Sequence, residues 1–558
     1  MSALLAALTV LASGEAVHQS VTVDEFHLVP QAIALRATGD LDLGYKTPPL
    51  LKRWIGLALD PAAVSLPDHH VNGKPAADGW EPWIFGTRFM LANTAGYDAI
   101  FLRARRMMLP LAWLLGIAIW WWARSVAGVK AGVAALALFA FLPEMVAFSS
   151  LVSLDLAVTA LVIGFVVLLR EHLRRGGWWQ LAGASALFGL GLSVKLSMAT
   201  LAPLFLLPVL QARGARAWAK RARLAATVVT VALVALHASY GFDRPVPRWR
   251  DFEPRSDGFR AAHALLPDAL PVPLPLRWLR ALDGQARDVQ AADVPSYLNG
   301  RWSDTGWRYY YAAAYLYKWP LPLLALGLVS IAAAIARLRR RPAAGGPAGP
   351  LPPGIEAALV VAPLLLWGGS FSLAGGLNIG IRYVLPCSAL ACVGMGILVG
   401  GLRLRSAAGI VASGLAALTA AASVSAYPHH LSYFNALAGG SPGAYRHLVD
   451  SNLDWGQELK HLASYAREKG IGRIGLGYFG HVAPELYGLD YFVPEGPPAE
   501  GWYAVSANFL AGYPYVVWDH GKLRPVRPEA WEAFRGLVPD DTVGGALMIY
   551  RVGASEAR

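Results

Sequence analysis

The sequence predicts a polytopic α-helical membrane protein, on three observations. Only 15% of the 558 residues are charged and 55% are hydrophobic, where soluble domains carry about 25% charge. Mean hydropathy is +0.40 over the whole length. The basic residues behind the net charge of +12 fall mostly between apolar runs, where a membrane protein keeps its cytoplasmic loops. These features exclude an ordinary soluble enzyme and a disordered chain. They also remove the charge as a sign of a nucleic-acid partner. Cys387 and Cys392 share one apolar run, which leaves no disulfide framework and no zinc-type cysteine pair.

A hydrocarbon core of roughly 30 Å takes about 20 apolar residues per helix. Eleven segments qualify as spans: 2–19, 107–123, 131–149, 152–170, 177–194, 197–212, 224–241, 318–336, 355–372, 383–400 and 407–426. The first is short and carries Glu15 and His18 near its end. It reads as a helix or as a cleavable signal peptide, and either way residue 24 lies outside the cytoplasm. The inside loops then hold Arg124, Lys130, Arg170, Arg174, Arg175, Arg213, Arg216, Lys220, Arg221, Arg223, Arg337, Arg339, Arg340, Arg341, Arg403 and Arg405. The short outside turns hold only Lys195 and Arg382, as the positive-inside rule requires.

Three long segments fall outside: 20–106, 242–317 and 427–558. The expected organisation is a transmembrane domain, 1–426, with two external loops, and an external α/β domain, 427–558. The Pro/Gly stretch 342–354 reads as an inside linker. Residues 455–469 suit an amphipathic helix, and IGRIGLGYF, GWYAVSANF and ALMIYRV read as short strands. The absence of an internal repeat counts against carrier folds built from two similar halves.

An acidic residue at the mouth of a span is costly unless paired or functional. Asp24 and Glu25 directly follow the first span. They read as a helix opening, where a carboxylate favours the dipole, or as a base for a hydroxyl nucleophile. Asp155 begins the fourth span on the same face, as a helix start or as a second carboxylate positioning an acceptor. Lys195, Lys318 and Arg382 occupy outside mouths against the charge trend. They read as snorkelling cations or as a phosphate site at the membrane surface, with Arg382 as a fork and the lysines as point charges. The Asp40/Asp42 pair suits a divalent metal only weakly, and so do the adjacent histidines at 69–70 and 429–430. In DSNLDWGQ, Asp450, Asn452, Asp454, Trp455 and Gln457 combine carboxylates and amides for sugar hydroxyls with an indole for stacking. Asp454 equally suits the cap of a helix starting at Trp455.

TVDEFHLVPQAIALRATGDLDLGYKTPPLLKRW resembles the first outside loop of GT-C glycosyltransferases, in particular glycosyltransferase family 39, which includes the protein O-mannosyltransferases, and the related lipid A aminoarabinose transferases. The acidic pair Asp24-Glu25 is followed by Pro48-Pro49-Leu50, with Lys46 just before. The SLD at 153–155, the Lys195 segment and Arg382-Tyr383-Val384-Leu385-Pro386 follow in the family order. YLNGRWSDTGWRYYYAAAYLYKWPLPL and YPHHLSYFNALAGGSPGAYRHLVDSNLDWGQELK resemble a bacterial phospholipid-carrier-dependent branch.

The resemblance implies a GT-C fold of about eleven transmembrane helices in a bacterial inner membrane, with the site and the C-terminal domain facing the periplasm. The donor would be a polyprenyl-phosphate sugar and the acceptor a protein, glycan or lipid. Asp24 would be the general base, with Glu25 or Asp155 positioning the acceptor. Lys195, Lys318, Arg382 and Lys46 would hold the phosphate, and Tyr383, His429, Asp450, Asn452, Asp454 and Trp455 would line the substrate. Transfer would invert the anomeric centre and need no obligatory cofactor or metal. The rival readings are a lipid-linked sugar transporter or flippase, whose sites usually lie at mid-depth, and a non-catalytic scaffold.

Overall fold

Inside lipid, helices satisfy their own backbone groups, and the apolar runs of this chain are helical. The computed structural model describes all residues except 69–80, 213, 215, 245, 292–294, 340–350, 375–377, 527–528 and 554–558. The His69–His70 pair, Arg213, Arg340, Arg341 and most of the Pro/Gly stretch therefore lie outside the described residues. Among the described residues, six helices are long and apolar enough to cross a membrane: Tyr97–Ala127, Leu154–Arg175, Ala217–Ser239, Pro353–Leu373, Ile381–Gly400 and Ala407–Ala426.

Three further expected spans are bent helix pairs. Ser2–His18 meets Val23–Thr38 at 91°, Val129–Ala140 meets Pro143–Ser150 at 64°, and Tyr310–Lys318 meets Leu321–Ile335 at 117°. Pro143 and Pro320 stand at the second and third breaks, where a missing N–H and steric pressure on the preceding residue interrupt a helix. At the first break, Glu25 accepts from the Thr22 backbone N–H at 3.0 Å, which starts the second helix afresh.

Of the last two expected spans, one is a short α-helix and the other is only partly α-helical. Residues 177–194 give a helix of 15 residues, Trp178–Leu192. Residues 197–212 open as a ten-residue 3₁₀ helix, Leu196–Phe205, and close as the six-residue α-helix Leu206–Gln211. Because a 3₁₀ helix rises about 2.0 Å per residue against about 1.5 Å for an α-helix, this segment reaches about 29 Å, near the hydrocarbon thickness.

After the last span the chain builds a five-stranded sheet in the order Tyr491–Phe492, Ile474–Gly477, Gly501–Ser506, Leu547–Val552, Asp541–Val543. Ile474–Gly477 is parallel to both neighbours and Leu547–Val552 antiparallel to both. The three strands expected from sequence are its centre. The helix expected over 455–469 runs only from Leu459 to Lys469, because the residues before it are spent on the site below. Buried apolar side chains continue without a break from Leu8 to Val552. The loop before the eighth span has a small core of its own, formed by Trp249, Phe252, Val272, Leu276 and Leu279.

The two ends of the chain are sewn together. Ser20 N–H donates to Gln457 O and Val23 N–H to Trp455 O, both at 2.9 Å, and Leu459 N–H donates to Ser20 Oγ at 2.8 Å.

Candidate active site

Four ionisable side chains from distant parts of the chain meet where helix ends converge. Asp24 and Asp155 stand in the first turns of Val23–Thr38 and Leu154–Arg175, where the helix dipole favours carboxylates. Lys195 immediately precedes the 3₁₀ helix, and Arg382 sits in the turn Ile381–Val384 that opens a span. Arg382 Nη1 donates to Asp24 Oδ2 at 2.6 Å and lies 3.6 Å from Asp155 Oδ2. Lys195 Nζ donates to Asp155 Oδ1 at 2.6 Å. The Asp155 side chain is 2% exposed and that of Asp24 21%. Asp155 therefore fixes the two cations, in place of the acceptor-positioning role expected for it, while Asp24 keeps an accessible face.

Both cations rest on aromatic rings. The Arg382 guanidinium lies 4.3 Å from the Trp455 ring and 5.0 Å from Tyr383, and Lys195 Nζ lies 4.1 Å from Tyr383. Such stacking stabilises a cation without consuming its N–H donors. Asn452 fixes the turn that carries Arg382. Its Oδ1 accepts from Ile381 N–H at 2.9 Å, and its Nδ2 donates to Tyr310 Oη at 2.9 Å and Val449 O at 3.0 Å. Asp450, held at φ +59°, accepts from Tyr513 Oη at 2.6 Å. Burial raises its carboxyl above the usual range, against the pull of Tyr513 and Arg382.

Several expected site residues are engaged elsewhere. Lys318, expected on the phosphate, is buried and donates to Leu431 O and Asn452 O, both at 2.6 Å. Two backbone carbonyls consume it. Lys46 donates to both oxygens of Asp288 at 2.8 Å. Glu25, expected to position the acceptor, is fully buried and saturated: Arg105 Nε at 2.8 Å, Arg105 Nη2 at 2.6 Å and Val152 N–H at 2.9 Å all donate to it. It holds the helix rather than a ligand. His429 faces Glu458 at 3.0 Å in place of lining the substrate. Asp42 is forked onto Arg277 at 2.8 and 2.9 Å.

Asp454 neither caps a helix nor lines the cluster. It is buried, accepting from Gly456 N–H at 2.9 Å and Ser506 Oγ at 2.5 Å. Burial raises its carboxyl to about 7; the Ser506 and Gly456 bonds oppose that shift, and Glu458 and Asp450 add to it. A folded value above the unfolded 3.8 means that folding favours the protonated form. The stability this confers is complete below about pH 4 and is lost as the pH rises through 7. Asp454→Asn is expected to remove that decline and to melt above wild type at pH 8. Parallel melting curves from pH 4 to 8 check this, and a constant difference between the two proteins would refute it.

Two features escaped the sequence reading. Arg105 is one: it stands at the same mouths as Lys195, against the same charge trend, and that trend was the available signal. The other is an aromatic wall beside Asp450, made by Trp83, Phe479, His481, Tyr513 and Tyr515. His481 Nε2 and Tyr515 Oη share a hydrogen bond at 2.8 Å, and the His481 ring lies 4.5 Å from Trp83. Burial, with His27 nearby, lowers the His481 imidazole to about 3, so it is neutral. Trp83 lies in the helix Glu81–Ala92 and the other four in loops without periodicity, and no local pattern joins them.

No family model matches the chain, and no curated protein matches it. Among solved structures it is similar to ArnT from Cupriavidus metallidurans bound to undecaprenyl phosphate, at 12% identity over 94% of this chain and 97% of that one, with a TM-score of 0.47. It is similar to the apo oligosaccharyltransferase of Archaeoglobus fulgidus at 12% identity over 95% of this chain and 75% of that one, with a TM-score of 0.42. For AglB of the same organism, in complex with an inhibitory peptide and a dolichol-phosphate, the values are 12%, 95%, 74% and 0.38.

Proposed function

We propose that this chain is a GT-C transferase that moves a sugar from a polyprenyl-phosphate donor to an acceptor at the outer face of a bacterial cytoplasmic membrane. The observation that carries the reading is the meeting of Asp24 with Arg382 and Lys195 at the ends of apolar helices. A polyprenyl chain stays in the bilayer and presents its phosphate at this depth. The phosphate is the leaving group, so fixed cations there stabilise the charge that develops in the transition state.

Arg382 is the counter-ion of Asp24, and a phosphate competes with the carboxylate for it. When the guanidinium turns its fork to the phosphate, Asp24 is released to act as a base. The acceptor hydroxyl or amine attacks the anomeric carbon. The bond from that carbon to the phosphate oxygen breaks, its electron pair leaves with polyprenyl phosphate, and Asp24 takes the acceptor proton. A single displacement inverts the centre. Asp155 keeps Lys195 in register, and the half-buried rings of Trp83 and Tyr515, with His481 packed behind them, offer flat faces to a sugar or aromatic acceptor.

The test is transfer by purified protein from polyprenyl-phosphate sugars to envelope glycans, lipids and proteins. Labelled product is the expected result, and failure of a folded protein with every such donor would overturn the reading. Arg382→Lys keeps the charge and loses the fork. It is expected to lower kcat/KM for the donor by about 10²-fold, read from initial rates; an unchanged value would remove Arg382 from the phosphate.

A further inference from the structure

Just beyond the last apolar helix, three metal-ligand side chains converge. His429 follows the helix Ala407–Ala426, Glu458 immediately precedes the helix Leu459–Lys469, and His461 lies in its first turn. Glu458 is 1% exposed. Its Oε1 lies 3.0 Å from His429 Nδ1, and its Oε2 lies 2.9 Å from His461 Nδ1. The first contact is a hydrogen bond. The second is at ion-pair distance as well. Both imidazoles therefore converge on the two oxygens of one buried carboxylate.

One ligand atom from each residue lies within 4.8 Å of the other two. Tetrahedral zinc, with bonds of about 2.0–2.1 Å, holds its ligands roughly 3.4 Å apart, and a His/His/carboxylate set is among its usual ones. The carboxylate itself is fixed, since the backbone of Gly544, at φ +60°, packs so closely that a Cβ there would collide with it. Access exists as well: a cavity of about 260 Å³ is lined by His18, Lys460 and His461. A plain His–Glu–His hydrogen-bonded triplet is the competing account, and zinc uptake separates the two.

We propose that His429, Glu458 and His461 form a site for a divalent transition metal of the zinc class, with water or His18 as the fourth ligand. The metal clasps the exit of the last apolar helix to the start of the C-terminal helix. It thereby tightens the strip that carries Asn452 and Trp455. Its role is mechanical and separate from the transfer step, so its failure would leave Asp24 and Arg382 in their proposed roles.

The test uses the full chain in detergent, stripped with chelator and dialysed. It is expected to take up one zinc per molecule, to melt at a higher temperature with zinc than without, and with cobalt to give the strong visible absorption of a tetrahedral site. Zinc uptake is expected to be lost in the His429→Ala/His461→Ala double variant and kept in His520→Ala, whose side chain is exposed on a hairpin turn. Uptake undiminished in the double variant would overturn the proposal. The cobalt spectrum needs no variant, and its absence in wild type would also overturn it.

Discussion

Asp24→Asn is expected to lower kcat by about 10²- to 10⁴-fold, the range a positioned general base contributes, while the protein stays folded. The fold is spared because an amide oxygen still accepts from Arg382 Nη1, which reaches Asp24 at 2.6 Å. The side chain is also 21% exposed, so no buried charge is stranded. What disappears is the capacity to take a proton. Donor binding is expected to hold or tighten, because Arg382 no longer faces a competing negative charge. Single-turnover rates with a labelled donor, beside equilibrium donor binding, separate the two effects. A variant that turns over at the wild-type rate would remove Asp24 from the chemistry, whatever became of the donor.

Arg105→Ala is expected to cost ~3–5 kcal/mol of stability, the range for breaking one partner out of a buried ion pair. The side chains of Arg105 and Glu25 are 2% and 0% exposed. Arg105 also donates to Ala16 O, Gln19 O and Ser20 O at 2.7, 3.0 and 2.8 Å, so it braces the 91° break between the first two helices. Its loss strands a buried carboxylate and three carbonyls together. Thermal melting in detergent reads the effect. Arg105→Met combined with Glu25→Gln is expected to lose less than the two single changes added, as coupled partners do. An Arg105→Ala protein that melts with wild type would show the pair to be idle.

The apolar runs were legible because lipid leaves them only one structure, and the bends at Pro143 and Pro320 follow from residues visible in the sequence. The 3₁₀ stretch Leu196–Phe205 was not, since nothing in its composition separates it from an α-helix. The sidedness of charge put Asp24, Asp155, Lys195 and Arg382 on one surface, and the structure brings those four within ion-pair reach. The same reasoning put Lys318 among them. It differs only in meeting the carbonyls of Leu431 and Asn452, more than a hundred positions away, and no local pattern carries that. Glu25 is the mirror case: adjacent to Asp24 in sequence, it points across the helix to Arg105. In the C-terminal region the central strands were legible as short apolar, β-branched and aromatic runs. The edge strands, two and three residues long, are too short to leave a period.

The seam between residues 20–23 and 455–459 bears on how the molecule is made. A chain emerging from the ribosome carries Asp24 almost at once and Arg382 much later. The ring beneath the guanidinium, Trp455, arrives in the last fifth of the sequence. Contacts of such separation close late, after the local helices have formed. A nascent or truncated chain thus lacks the assembled cluster, and the charged mouth exists only in finished molecules.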